Sequence, residues 1–141
     1  MSKQSFSMNN PSQIIVFTIF QDNLVLVEKR AKESTFPEEL LFPGGSVEES
    51  ETLEQTFFRE VEEETGIQVL EYKKIPTSKT IYGYKGLVVN PFLITKYKGE
   101  IPENVLDKGN PLLWVEFTQT LNSKIKPVQE VALAIKEFLN Q

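Results

Sequence analysis

Glu51, Arg59, Glu60, Glu63 and Glu64 lie between two glycines in a pattern suited to work on phosphate: Gly45-x5-Glu51-x7-Arg59-Glu60-Val61-x-Glu63-Glu64-x-Gly66-Ile67. If residues 52–65 form a helix, Glu60, Glu63 and Glu64 fall at i, i+3 and i+4 and share one face. Like charges at that spacing weaken a helix unless a cation sits between them. The cation that suits carboxylate oxygens is a hard divalent ion, Mg²⁺ or Mn²⁺. Hydrolysis of a phosphoanhydride needs phosphate charge neutralised, a water aimed in line and a leaving phosphate stabilised. Carboxylates holding such ions can supply all three.

The elements that must position these groups are legible around them. Ile14 to Phe20 is rich in β-branched and aromatic residues and reads as a strand. Gln21-Asp22-Asn23 signals a turn, and Leu24 to Glu28 alternates as the return strand of a hairpin. Leu40 to Phe42 is a short strand stopped by Pro43-Gly44-Gly45, and residues 31–39 form a polar surface loop. Thr52 is the expected helix N-cap, with Glu48, Glu51 and Glu54 near the positive end of the helix. Leu53, Phe57, Phe58 and Val61 form its apolar stripe, and Gly66 ends it in a left-handed conformation. On this reading one face packs and the adjacent face displays carboxylates.

Ile67 to Tyr72, Lys79 to Tyr84, Leu87 to Tyr97 and Leu112 to Phe117 read as further strands, with a turn at Gly83 to Gly86. Residues 98–110 read as a loop, and Val128 to Leu139 as a second amphipathic helix. The expectation is an α+β fold, helices packed on a mixed β-sheet. Residues 1–141 are read as a single domain, residues 1–12 being a flexible tail.

The segment 45–67 resembles a complete Nudix box, the signature of the Nudix hydrolases. The lead-in Phe42-Pro43-Gly44-Gly45, with Glu48, Glu51 and Thr52, is similar to that family as well. Chance odds for the pattern are on the order of one in a billion per start site. The resemblance implies an α/β/α sandwich. It also implies an Mg²⁺-dependent pyrophosphohydrolase acting on a nucleoside diphosphate linked to another group: a nucleoside triphosphate, a dinucleoside polyphosphate or a nucleotide sugar. It carries metal binding onto Glu60, Glu63 and Glu64, with the Gly45 carbonyl as an extra ligand, and gives Glu63 or Glu64 the task of orienting or deprotonating the water. Arg59 is expected to point to a different side from Glu60 and to fix a box glutamate such as Glu51 or Glu63.

Family members often recruit a further acid from outside the box, and Glu103 and Asp107 are the candidates. Tyr84 matches a marker of dinucleoside polyphosphate hydrolases, and Tyr82 or Tyr84 could stack on a base. Arg30, with Lys29, is the candidate cation for substrate phosphate. Leu40 stands where many relatives carry Trp.

Composition narrows the alternatives. With no Cys and no His, thiolate and imidazole chemistry is excluded. The isomerase branch of the same scaffold, which relies on those residues, is excluded with it. A net charge of -5 argues against a nucleic-acid polymer as partner, but not against a small phosphorylated ligand held through metal. The longest apolar run, Ile14 to Phe20, is too short to span a membrane, so the cytoplasm is the expected compartment. Relatives are often dimers, and no interface is legible here. The rival reading is a nucleotide-sensing module that does not cleave its ligand, a class usually marked by degenerate boxes; this box is intact.

Overall fold

Two residues with positive φ, Asp22 at 55° and Asn23 at 67°, make the tight turn that folds β1 (Gln13–Gln21) back into β2 (Leu24–Lys29). Asn and Asp tolerate that conformation, and its twist matches the flanking strands. The structure, a computed structural model, describes residues 12–30, 39–106 and 109–141.

The two strands of this hairpin pair only next to the turn, at Phe20↔Val25 and Gln21↔Leu24. The Thr18 hydroxyl then fills the space between them, donating to the Leu26 carbonyl at 2.8 Å and accepting from its amide at 3.0 Å. Beyond that point each strand has other partners. β1 runs parallel to β7 (Val88–Lys98) from Gln13↔Val88 to Ile19↔Ile94, and antiparallel to β4 (Gly44–Ser46). β2 pairs with β3 (Leu40–Leu41) and with β8 (Leu112–Glu116). The sheet therefore splits into a wedge whose open end lies between Ile14–Val16 and Glu28–Arg30.

α1 (Leu53–Thr65) starts at a capping box in which Thr52 and Gln55 satisfy each other's backbone amides, and ends at Gly66 with φ 71°. It covers one side of the sheet, where Phe57 stacks on Phe92 at 4.5 Å amid Ile15, Phe17, Ile19 and Val61. α3 (Lys126–Leu139), with Pro127 in its first turn, covers the other through Val128, Val131, Ala132 and Ile135. β5 (Gln68–Lys74), β6 (Ile81–Tyr82) and α2 (Phe117–Leu121) complete the α/β/α sandwich and its mixed sheet. Among the described residues no helix is long and apolar enough to cross a membrane.

Four local expectations change. Gly44–Ser46 is not only a stop, because it forms a strand on β1. The strand expected over 79–84 shrinks to Ile81–Tyr82, since only these residues meet β7 before the Gly83 amide closes a turn on the Leu87 carbonyl. α2, one short turn of helix, has no apolar period long enough to be read in advance. Phe58 is 45% exposed instead of buried, because one residue past Phe57 is a 100° rotation away from the core; its ring meets Tyr72 edge-on.

Candidate active site

Arg59 organises the acidic cluster. Its Nε and Nη2 grip both oxygens of Glu51, at 2.6 and 2.8 Å, and Nη2 also donates to the Ser46 carbonyl at 3.1 Å. Its Nη1 donates to Glu60 Oε2 at 2.8 Å and reaches Glu63 Oε1 at 3.4 Å. One guanidinium thus ties the loop before α1 to the acidic face of α1. A pairing was expected with Glu51 or Glu63, and contacts to both are present. The expected divergence from Glu60 is not, because the long Arg59 side chain folds back across its neighbour.

This grip sets the charge state of Glu51. The Arg59 hydrogen bonds hold its carboxyl down at about 2, against an ordinary 4.5, and the Glu48 amide and Thr56 hydroxyl add to the effect. In turn, Glu51 and then Glu60 push the Arg59 guanidinium up from its ordinary value. A carboxyl depressed on folding stabilises the fold above its unfolded value, and that contribution is lost as pH falls through the folded one. Wild-type stability over Glu51→Gln, measured by urea unfolding, is therefore expected to be full at pH 7 and to fade between about pH 4.5 and pH 2. A gap equally large at both ends of that range would mean the ion pair is not its source.

The three glutamates of the predicted metal face do not sit alike. Glu60 is 7% exposed and Glu64 1% exposed, so they are enclosed by packing and not displayed on the surface as expected. Glu63 is the half-open one, its side chain 41% exposed. Gly45 lies directly over Glu60: a Cβ there would stand 2.2 Å from the carboxylate carbon. The donor set is all oxygen, from carboxylates and a backbone approached without a side chain between, and it fits a hard divalent cation. Among the described residues no three acidic groups are already gathered about one point, since Arg59 draws Glu60 and Glu63 toward itself.

Next to this face, the wedge between β1 and β2 opens into a cleft of about 360 Å³. Gly44, Gly45 and Ser46 form one wall, Glu28 and Arg30 another, and Tyr84 and Leu87 part of the rim. Arg30 and Tyr84, both expected to meet substrate, are therefore on the same cleft. The Tyr84 ring is half exposed, with Lys85 Nζ 5.5 Å from its centroid, whereas Tyr82 is exposed off the cleft. Glu103 is exposed, and among the described residues it makes no hydrogen bond or ion pair with the acidic face. Asp107 lies outside the described residues.

Sequence reasoning missed Glu28, which is 1% exposed. Its signal was a charged residue closing the apolar run Leu24-Val25-Leu26-Val27, in a strand buried on both faces. It also missed the Ser46 carbonyl as an Arg59 partner, a contact no side-chain pattern could announce.

The sequence model of the NUDIX domain matches residues 9–134. The chain belongs to the Nudix family. Its curated Nudix relatives include the 8-oxo-dGTP diphosphatase of Buchnera aphidicola, 33% identical over 64% of this chain and 68% of that protein. The 8-oxo-dGTP diphosphatase of Escherichia coli is 25% identical over 81% of this chain and 86% of that one. Among solved structures, a MutT from the pair of Aliivibrio salmonicida and Vibrio cholerae superimposes with TM-score 0.71 at 26% identity, covering 92% of this chain and all of that one. The MutT Nudix hydrolase of Burkholderia pseudomallei does so with TM-score 0.66 at 25% identity, over 86% and 98%. The chain is a MutT-like Nudix pyrophosphohydrolase, and enzymes of this family generally need divalent cations.

Proposed function

We propose that this enzyme is an Mg²⁺-dependent nucleoside triphosphate pyrophosphohydrolase that acts on the substrate for which its curated relatives are named, 8-oxo-dGTP. The observation that carries the reading is Gly45, which lies against Glu60 under the Arg59 clamp and also lines a cleft large enough for a small ligand. Glu60, Glu63, Glu64 and the Gly45 carbonyl would hold Mg²⁺, or Mn²⁺ in its place. Bound there, the cation supplies charge neutralisation at the phosphate oxygens.

The chain's own groups do the rest. Glu63, the most open of the three, is placed to take a proton from the attacking water. The water oxygen bonds to one phosphorus, the bridging P–O bond breaks, and the leaving phosphate departs with the electron pair, so two phosphorylated products form. Arg59 positions Glu60 and Glu63 without touching substrate. Arg30 supplies positive charge from the cleft wall. A nucleotide substrate makes the cytoplasm the proposed compartment, with residues 1–141 proposed as one domain.

Product analysis tests this on dGTP, 8-oxo-dGTP, dATP, ADP-ribose, diadenosine polyphosphates and nucleotide sugars, with Mg²⁺, with Mn²⁺ and with chelator. Metal-dependent release of nucleoside monophosphate and pyrophosphate from the triphosphates is expected. Cleavage confined to diadenosine polyphosphates would move the assignment to the class that Tyr84 marks. Nucleotide binding without any product would favour a sensing module.

A further inference from the structure

Glu28 is the one fully buried carboxylate of β2, and it is not part of the acidic helix face. Its Oε2 accepts from Arg30 Nη1 at 3.2 Å and from Asn110 Nδ2 at 3.3 Å. Its Oε1 is out of water and has no hydrogen-bond donor among the described residues, and the same is true of the Arg30 Nε–H as a donor. Both residues line the cleft at the open end of the wedge. A buried acceptor and a buried donor left unmet side by side are costly, and a ligand that matches both relieves the cost.

We propose that Glu28 and Arg30 read the lactam edge of a purine base. A carboxylate can only accept and a guanidinium can only donate, so the pair has a fixed polarity. Guanine matches it: its N1–H donates to Glu28 while its O6 accepts from Arg30. 8-Oxoguanine keeps that edge and gains a second one, N7–H beside O8 and O6. Adenine carries the reverse pattern, with a ring nitrogen that accepts and an exocyclic amine that donates. Where the phosphate end fixes which way the base faces, a base brought in against this wall is sorted by whether its ring nitrogen bears a proton. Arg30, its side chain 31% exposed and tied to Glu28 by one long contact, can rotate to admit the base.

The inference rests on the nucleotide reading above, so its test is binding, which does not need turnover. Calorimetry with the intact chain would compare dGMP, 8-oxo-dGMP, dIMP, dAMP and the 2-aminopurine deoxynucleotide. Wild type is expected to bind the three lactam bases at least about tenfold more tightly than dAMP. dIMP, which lacks the exocyclic amine, should group with dGMP; 2-aminopurine, which has the amine but no lactam, should group with dAMP. In Glu28→Gln, whose amide can donate as well as accept, the ratio of dGMP to dAMP affinity is expected to collapse to near unity.

Equal affinity of wild type for all five would overturn the proposal. So would 2-aminopurine grouping with dGMP, or a Glu28→Gln variant that weakens every ligand by the same factor. The wild-type comparison stands even if the variant misfolds. Lactam-selective binding without hydrolysis would overturn the proposed function while leaving this assignment in place.

Discussion

Glu63→Gln and Glu64→Gln are each expected to lower kcat by about a hundredfold to ten-thousandfold with the fold retained. The two changes are isosteric and remove only charge and basicity. Neither touches the Thr52–Gln55 capping box or the Gly66 cap that hold α1 in place. The two losses have different origins. Glu63 is half open and tethered to Arg59 by a single 3.4 Å contact, so it is free to reach a water, and its loss removes a proton acceptor. Glu64 is sealed at 1% exposure, so its loss removes a rigid oxygen donor from the proposed metal position. Raising Mg²⁺ should accordingly recover part of the activity of Glu64→Gln and none of that of Glu63→Gln. Glu62, exposed on the far side of the same turn, serves as the control, and Glu62→Gln is expected to keep the parent's kcat. Parental turnover in both active-face variants, on a substrate the wild type cleaves, would refute the assignment of the acidic face.

Most of the fold was legible because its signals are local. The hairpin announced itself through Asp22-Asn23, α1 through Thr52 and Gly66, and α3 through its apolar period. The acidic face was legible for the same reason, since a helix makes spacing into geometry. What escaped depends on groups far apart in sequence. The parting of β1 from β2 follows from their separate partners, β4 with β7 and β3 with β8, which lie far from the hairpin in sequence. The cleft, and Glu28 within it, exist only because of that parting. The burial of Glu60 and Glu64 likewise comes from the Gly44–Ser46 strand and the loop near Leu106, whose amide caps the Glu64 carbonyl. The direction of Arg59 escaped because its side chain is long enough to override the helical angle between neighbours.

Gly44 and Gly45 are adjacent, yet their alanine variants are expected to fail in different ways. A Cβ on Gly44 would lie 2.0 Å from the Ile15 carbonyl oxygen and 2.8 Å from the Val16 Cα. These are backbone atoms of the central strand, paired on the other side with β7, and they cannot yield without breaking sheet bonds. Gly44→Ala should therefore destabilise the protein by about 3 kcal/mol, seen as a fall in Tm of about 10 °C. The three atoms nearest a Cβ on Gly45 are all of the Glu60 carboxylate, the end of a side chain and not backbone, so the carboxylate is what must shift. Gly45→Ala should keep most of its Tm, but displace Glu60 from both Arg59 and the metal position, lowering kcat by about a hundredfold. It should also need more Mg²⁺ for half-maximal rate if, as proposed, the displaced group is a ligand and the added methyl stands where the backbone carbonyl is approached. An unchanged kcat and Mg²⁺ requirement in Gly45→Ala would mean that Glu60 takes no part in holding the cation. The sequence motif treats the two glycines as one signal; the structure separates them, one against the backbone of β1 and the other against the Glu60 carboxylate.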